Sequence, residues 1–253
     1  MVSCVALSVT GVRAETVSAG SPALLPSARQ IFELSAGADG KGTSWSTYSG
    51  LTAAILGDIR ENGYRLRIGG GFGRYRYTRP FFDEQSRRHL WTEFFGKQTW
   101  ADVLVGYQWS FGATTIKAFA GQTQEHHRLS PGPDSPLDAD SENLIQGERR
   151  GLKVVLETWT RLADWGFLQI DANWSEPFEV YGGRIRLGHV LGKGWSAGLE
   201  SAAFGNLDHE GVRAGIFGRY NWSGGEVSIS AGVDGDRDRV GSGYGSAAVT
   251  ARF

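Results

Sequence analysis

From residue 30 to the carboxy terminus, apolar and polar residues alternate with a period of two, and no run with a helical period interrupts them. That pattern belongs to strands carrying one apolar and one polar face. In RGLKVVLETWTRL, Leu152, Val154, Leu156, Thr158 and Leu162 share one side, while Lys153, Glu157, Trp159 and Arg161 share the other. ADVLVGYQWSF sets Val103, Val105, Tyr107, Trp109 and Phe111 against Asp102, Gln108 and Ser110. GGRIRLGHV opposes Ile185 and Leu187 to Arg184 and Arg186, and GVRAGIFGRYNW opposes Val212, Ala214, Ile216, Tyr220 and Trp222 to Arg213, Arg219 and Asn221. Segments of this kind number about twelve, an even count. Glycine supplies 37 of 253 residues and aromatics 12%, which favours an antiparallel β protein over a helical one.

Alternation alone does not say whether the apolar face meets a core or a lipid. Connections separate the two. Phe111-Gly112-Ala113-Thr114, Ala163-Asp164-Trp165-Gly166, Leu191-Gly192-Lys193-Gly194 and Ser223-Gly224-Gly225 are tight and fall at one end, whereas 78–90, 128–148 and 234–243 read as long polar loops at the other. Such sorting marks an outer-membrane barrel, with turns in the periplasm and loops outside. Aromatics gather by the tight turns: Tyr64, Trp109, Phe111, Trp165, Phe167, Trp195, Tyr220 and Trp222. A girdle of rings belongs at a bilayer interface, and Trp45, Trp174 and Tyr181 would form a sparser ring opposite. The final strand, SAAVTARF, alternates up to Phe253 and resembles the terminal signature of outer-membrane barrels; pairing it with QIFELSAGAD (30–39) would close the sheet. In IGGGFGRYRY (68–77) the parity slips between Phe72 and Tyr75, which predicts a bulge or a place where the wall bends sharply. The fold class expected is a single all-β antiparallel transmembrane barrel over residues 30–253. It would follow a secretory leader at 1–14, cleaved after Val12-Arg13-Ala14, and a flexible segment at 15–29.

A formal charge of −1 gives no electrostatic case for nucleic acid. If lipid meets the apolar face, the opposite parity lines a lumen. That inward set holds Arg65, Arg67, Glu157, Trp159, Arg161 and Asp171, then Arg184, Arg186, Glu200, Arg213, Phe217 and Arg219, together with Asp102, Lys117 and Lys153. Two readings stand: a ladder of ion pairs that plugs the lumen, or a slim polar conduit whose aromatics and charges touch a glycan. Glu157 and Asp171 on successive strands also suggest a carboxylate pair for glycoside hydrolysis, although the neighbouring arginines favour salt bridges. EHHRLS brings His126 and His127 near Ser130 without an orienting third residue. Asp234, Asp236 and Asp238 copy half a calcium loop, but Arg239 stands where its glycine belongs. Asp134, Asp138, Asp140 and Glu142 read as a solvated loop. No cofactor and no metal are expected.

The stretches NGYRLRIGGGFGRYRY (62–77), ADVLVGYQWSFGATTIKAFAG (101–121), GLKVVLETW (151–159) and GRYNWSGGEVSISAG (218–232) occur in an order that resembles the BcsS family of cellulose biosynthesis proteins. The resemblance implies an exported outer-membrane protein tied to cellulose production or secretion, without catalytic residues that carry over. Expected partners are outer-membrane lipid, a cellulose or glucan chain and other cellulose-synthesis components. The expected role is a non-catalytic accessory in exopolysaccharide export. A barrel enzyme acting on lipid or glycan and a general small-solute pore are the alternatives.

Overall fold

The computed structural model describes residues 29–83, 87–132, 146–207, 209–236 and 239–253. The expected leader at 1–14, nearly all of the 15–29 segment and the acidic stretch 134–142 lie outside the described residues, as does Asp238. Twelve strands run in chain order: β1 (Phe32–Lys41), β2 (Ser44–Ala54), β3 (Gly63–Asp83), β4 (Arg88–Phe111), β5 (Thr114–Pro131) and β6 (Gly147–Ala163), then β7 (Gly166–Ser175), β8 (Val180–Gly192), β9 (Trp195–Asn206), β10 (His209–Trp222), β11 (Gly225–Asp236) and β12 (Arg239–Arg252). Each pairs antiparallel with its chain neighbour, and β1 pairs with β12, so the sheet closes without an edge. The Phe253 carbonyl accepts the N–H of Ile31 and of Phe32, both at 2.9 Å, and its ring lies 5.9 Å from that of Phe32. The terminal ring therefore stands at the seam, on the outside.

Burial is inverted relative to a soluble barrel. Leu199 and Ile216 are each 64% exposed, whereas Arg65 and Glu157 are fully inaccessible. Hydrophobicity would drive the opposite arrangement in water, so the outer face is made for acyl chains. Tyr64, Trp109, Phe111, Trp165 and Trp195 are exposed at the end of the short turns, and Trp45, Trp174 and Tyr181 at the other end. These are the two interfacial rings. The protein is a transmembrane β-barrel.

The strands correct four expectations. First, no bulge interrupts 68–77: register runs unbroken from Gly63↔Gln108 to Asp83↔Arg88. Second, the described parts of the segment 78–90 are mostly strand, up to Asp83 and again from Arg88, because β3 and β4 extend 21 and 24 residues against 10 and 11 in β1 and β2. Third, β11 and β12 likewise carry strand through most of 234–243, with one register irregularity between Asp234 and Asp236. At the β3–β4 and β11–β12 hairpins the outer end is thus marked by how far the strands project. Fourth, Phe167 is not in the girdle; it is buried inside beside Trp159 and Phe217.

Connection 55–62, on the side of the short turns, folds beneath the opening. Arg65 donates to the carbonyls of Asp58 and Ile59 at 3.2 Å and also to that of Glu61, while Gln108 Nε2 reaches Glu61 O at 3.1 Å. Asp58 receives Arg60 Nε at 2.8 Å, Arg60 Nη2 at 2.9 Å and the N–H of Gln30 at 3.0 Å. Those bonds, from Arg60 above all, hold its carboxyl well below the usual carboxylate range.

Inward glycines make room for inward rings. Tyr48 lies opposite Gly37, Tyr75 opposite Gly96, Phe119 opposite Gly106 and Phe167 opposite Gly188, and a Cβ built on any of these glycines would overlap the facing ring. Rings covering cross-strand glycines bury backbone and fix χ1 together. Gly188→Ala is accordingly expected to destabilise the barrel by about 1–3 kcal/mol in denaturant unfolding, through overpacking. A change within 0.5 kcal/mol would mean that the Phe167 ring swings aside freely.

Candidate functional site

A twelve-stranded wall encloses more space than the side chains of an eight-stranded barrel fill. Long charged side chains span the difference. Arg67 on β3 reaches Glu157 on β6 through two bonds, Nη1 to Oε1 at 2.7 Å and Nη2 to Oε2 at 3.2 Å. Its guanidinium also lies 3.8 Å from the Phe119 ring centroid, and its Nε donates to Thr52 at 3.1 Å. Lys117 on β5 meets Glu33 on β1 at 3.2 Å, and Arg252 closes on the same carboxylate at 2.7 Å. Arg67–Glu157 and Lys117–Glu33 join strands that are not neighbours and cross the lumen like spokes, whereas Arg252 and Glu33 are direct partners across the β1–β12 seam.

The middle layer combines ion pairs between neighbouring strands with hydrogen bonds across the lumen. Arg184 Nη2 donates to Asp171 at 2.5 Å, and Gln169 Nε2 donates to that oxygen at 2.9 Å. Gln169 in turn accepts from Arg219, which also faces Glu226 at 3.8 Å. Glu200 is a hub: it accepts Arg186 Nε at 2.5 Å, Ser230 Oγ at 3.1 Å and Tyr244 OH at 2.8 Å. Trp159, Phe167 and Phe217 form the aromatic part of this layer, with Arg186 and Arg219 over the Phe217 ring at 4.9 and 5.8 Å. Nearer the outer end, Arg213 binds Asp39 at 2.6 and 2.9 Å and Asp234 at 2.6 Å, and Lys41 shares Asp234 at 2.6 Å. Lys153 pairs with Asp102 at 2.6 Å. Arg161 stands by the 164–165 turn, partly exposed.

Eleven of the twelve lumen candidates therefore sit in the interior, and only Arg161 lies at its margin. Sequence reasoning did not single out Glu33, Asp39, Gln169, Tyr244 and Asp234 as lumen groups, although parity puts them on the same face. What it lacked was the pairing across the lumen.

The chemistry-bearing constellations come apart. Glu157 and Asp171 are direct cross-strand partners, yet each carboxylate is held by an arginine and both are buried. A glycosidase pair needs room for a sugar and a water between its carboxyls. His127 points inward, where the Tyr75 hydroxyl lies 3.3 Å from its Nδ1 and the Phe178 ring packs edge-on at 4.5 Å. His126 and Ser130 lie on the outer face, four residues apart along β5, about 13 Å at strand spacing. No nucleophile–base contact arises there. Asp234 is taken up by Lys41 and Arg213 rather than by a calcium loop. Among the described residues no group of three His, Cys, Asp or Glu could hold a metal.

The family model for cellulose biosynthesis protein BcsS matches residues 34–253. No curated protein matches the chain. Among solved structures, an outer membrane channel from Pseudomonas putida F1 aligns over 94% of this chain and 100% of its own, at 10% identity and a TM-score of 0.49. The KdgM porin aligns over 87% and 99%, at 9% identity and 0.46. The transport unit of the autotransporter AIDA-I from Escherichia coli aligns over 90% and 91%, at 12% identity and 0.46.

Proposed function

Because the chain belongs to the BcsS family of cellulose biosynthesis proteins, we propose that it is a non-catalytic accessory of cellulose secretion, acting as a closed anchor in the membrane rather than as a conduit or an enzyme. It is a cellulose-biosynthesis barrel of the bacterial outer membrane. The observation that carries the finer reading is the inaccessibility of the lumen. Arg65 and Glu157 have no exposed surface at all, and Arg186, Gln169 and Leu104 have 1%. Side chains lining a path wide enough for a glucan would be wet. Connection 55–62 adds a second closure at the side of the short turns. With the lumen filled, contact with cellulose or with other synthesis components falls to the projecting hairpins of β3, β4 and β5 and to the rims.

Purified protein in a planar bilayer is expected to pass no steady current, to release no product from cellodextrin or phospholipid, and to be required for full cellulose output when its gene is deleted. A stable conductance would replace the anchor by a pore. A released product would replace it by an enzyme.

A further inference from the structure

The barrel's outer face turns basic where β3, β4 and β5 leave the membrane. Arg74, Lys97 and Arg128 are direct cross-strand partners, Arg74↔Lys97 and Lys97↔Arg128, and all three side chains are exposed on the outer face. Partners directly opposite stand with Cβ atoms about 5 Å apart, and like charges so placed destabilise a sheet. Nothing in the fold requires that row. Two carboxylates on the same face, Glu93 and Glu148, face Arg76 at 3.7 Å and Arg150 at 3.3 Å instead. Among the described residues, no carboxylate forms an ion pair with any of the three.

Height locates the row. Tyr64 and Tyr107 touch edge to face at 4.9 Å in the ring beside the short turns, and Arg74 and Lys97 each lie ten residues above them on β3 and β4. Ten residues at about 3.3 Å, tilted by about 40°, rise about 25 Å, which is the height of the apolar band of an outer-membrane barrel. The opposite ring agrees: Trp45, the direct cross-strand partner of Arg74 on β2, meets Phe72 at 4.9 Å, and Phe72 lies two residues below Arg74. The three cations therefore stand at the level of the outer-leaflet headgroups. Below Arg128 the outer face of β5 also carries His126 and Gln124, hydrogen-bonding groups at the depth of a headgroup's sugars.

We propose that Arg74, Lys97 and Arg128 form a binding site for the phosphates of a phosphorylated glycolipid of the outer leaflet. One bisphosphorylated headgroup lying along the row would supply a counter-charge that no ion pair among the described residues gives it, and would fix the rotation and depth of the projecting hairpins.

The test uses full-length protein folded in neutral detergent. It is titrated with diphosphoryl lipid A, with the same lipid stripped of both phosphates, and with inorganic pyrophosphate, followed by native mass spectrometry and thermal unfolding. The diphosphoryl lipid is expected to bind and raise Tm, and removal of the phosphates to weaken binding about tenfold or more. Pyrophosphate over the same range is expected to leave Tm unchanged. Arg74→Gln/Lys97→Gln/Arg128→Gln should abolish the lipid-induced shift while its lipid-free Tm stays level or rises, since the repulsion is gone. Lys97→Gln alone, at the centre, should weaken the shift and guards against a folding defect in the triple variant. Equal binding of both lipids, or a full shift in the triple variant, overturns the site. A shift with pyrophosphate alone assigns the cations to a soluble anion and overturns the lipid.

Discussion

Glu157→Gln is expected to lower the stability of the barrel by about 3–5 kcal/mol, because it strips the counter-charge from a guanidinium that sits in the lumen out of reach of water. Arg67 approaches Glu157 through both terminal nitrogens, and each side chain is nearly or wholly buried. The cost would reflect a stranded charge rather than the net worth of the pair. For that reason the double change Arg67→Met/Glu157→Leu, which removes both charges at similar volume, is expected to restore stability to the level of the native chain or above it. Reversible denaturant unfolding in vesicles reads both variants. The same pair separates support from function in cells. If the ladder only fills and holds the lumen, cells carrying the stable double variant secrete cellulose normally. A double variant that folds fully yet drops cellulose to the level of a gene deletion would assign Arg67 and Glu157 a direct part in secretion and end the reading of the lumen as filler.

Two-residue alternation made the strands legible because lipid outside and charge inside impose opposite chemistry on successive residues. The closing pair, β1 with β12, followed from the same rule, since an open edge has no place in a bilayer. What misled was the chemistry beyond the membrane. Around Phe72 the geometric parity of β3 continues, but its chemical sense reverses: Arg74 and Arg76 point outward at and above the headgroup level while Tyr75 and Tyr77 pack inside against Phe94 and Leu129. Read as a membrane strand, that reversal mimics a bulge, and the polar stretch that follows mimics a loop. It is one long strand crossing from one solvent into another.

The candidate site was legible to the same depth. Parity assigned Glu157, Asp171, Arg184 and Arg186 to one face, but which acid meets which base depends on the curvature and stagger of the closed sheet. Asp171 meets its cross-strand partner Arg184, which neighbouring registers allow one to foresee. Arg67 meets Glu157 over ninety positions of sequence, and Arg213 meets Asp39 over 174, which nothing local in the chain announces. Phe167 shows the limit of counting rings: it follows a tight turn as the girdle residues do, but its odd position puts it inside, against Trp159 and over Gly188.

Leu199→Arg is expected to destabilise the barrel by about 2–4 kcal/mol, the cost of an arginine on the lipid face near the bilayer midplane. Leu199 belongs to a row of direct cross-strand partners, Leu187, Leu199, Ile216 and Ala231, with no polar side chain among them. It stands four residues above Trp195 in the aromatic ring, about 10 Å of rise, close to half the height of the apolar band. A guanidinium there could not snorkel to either surface without drawing water or headgroups inward. One residue along the same strand the sign changes, for Glu200 faces inward and accepts from Arg186 and Tyr244. Leu199→Ala serves as the control, since it loses apolar contact with lipid but adds no charge, and its cost should be well below that of the arginine. Unfolding measured in lipid vesicles and again in detergent tests the assignment of faces directly, because a micelle deforms around a charge more readily than a bilayer does. A cost below 1 kcal/mol in vesicles would mean that this face does not meet lipid, and the membrane placement of the barrel would fall with it.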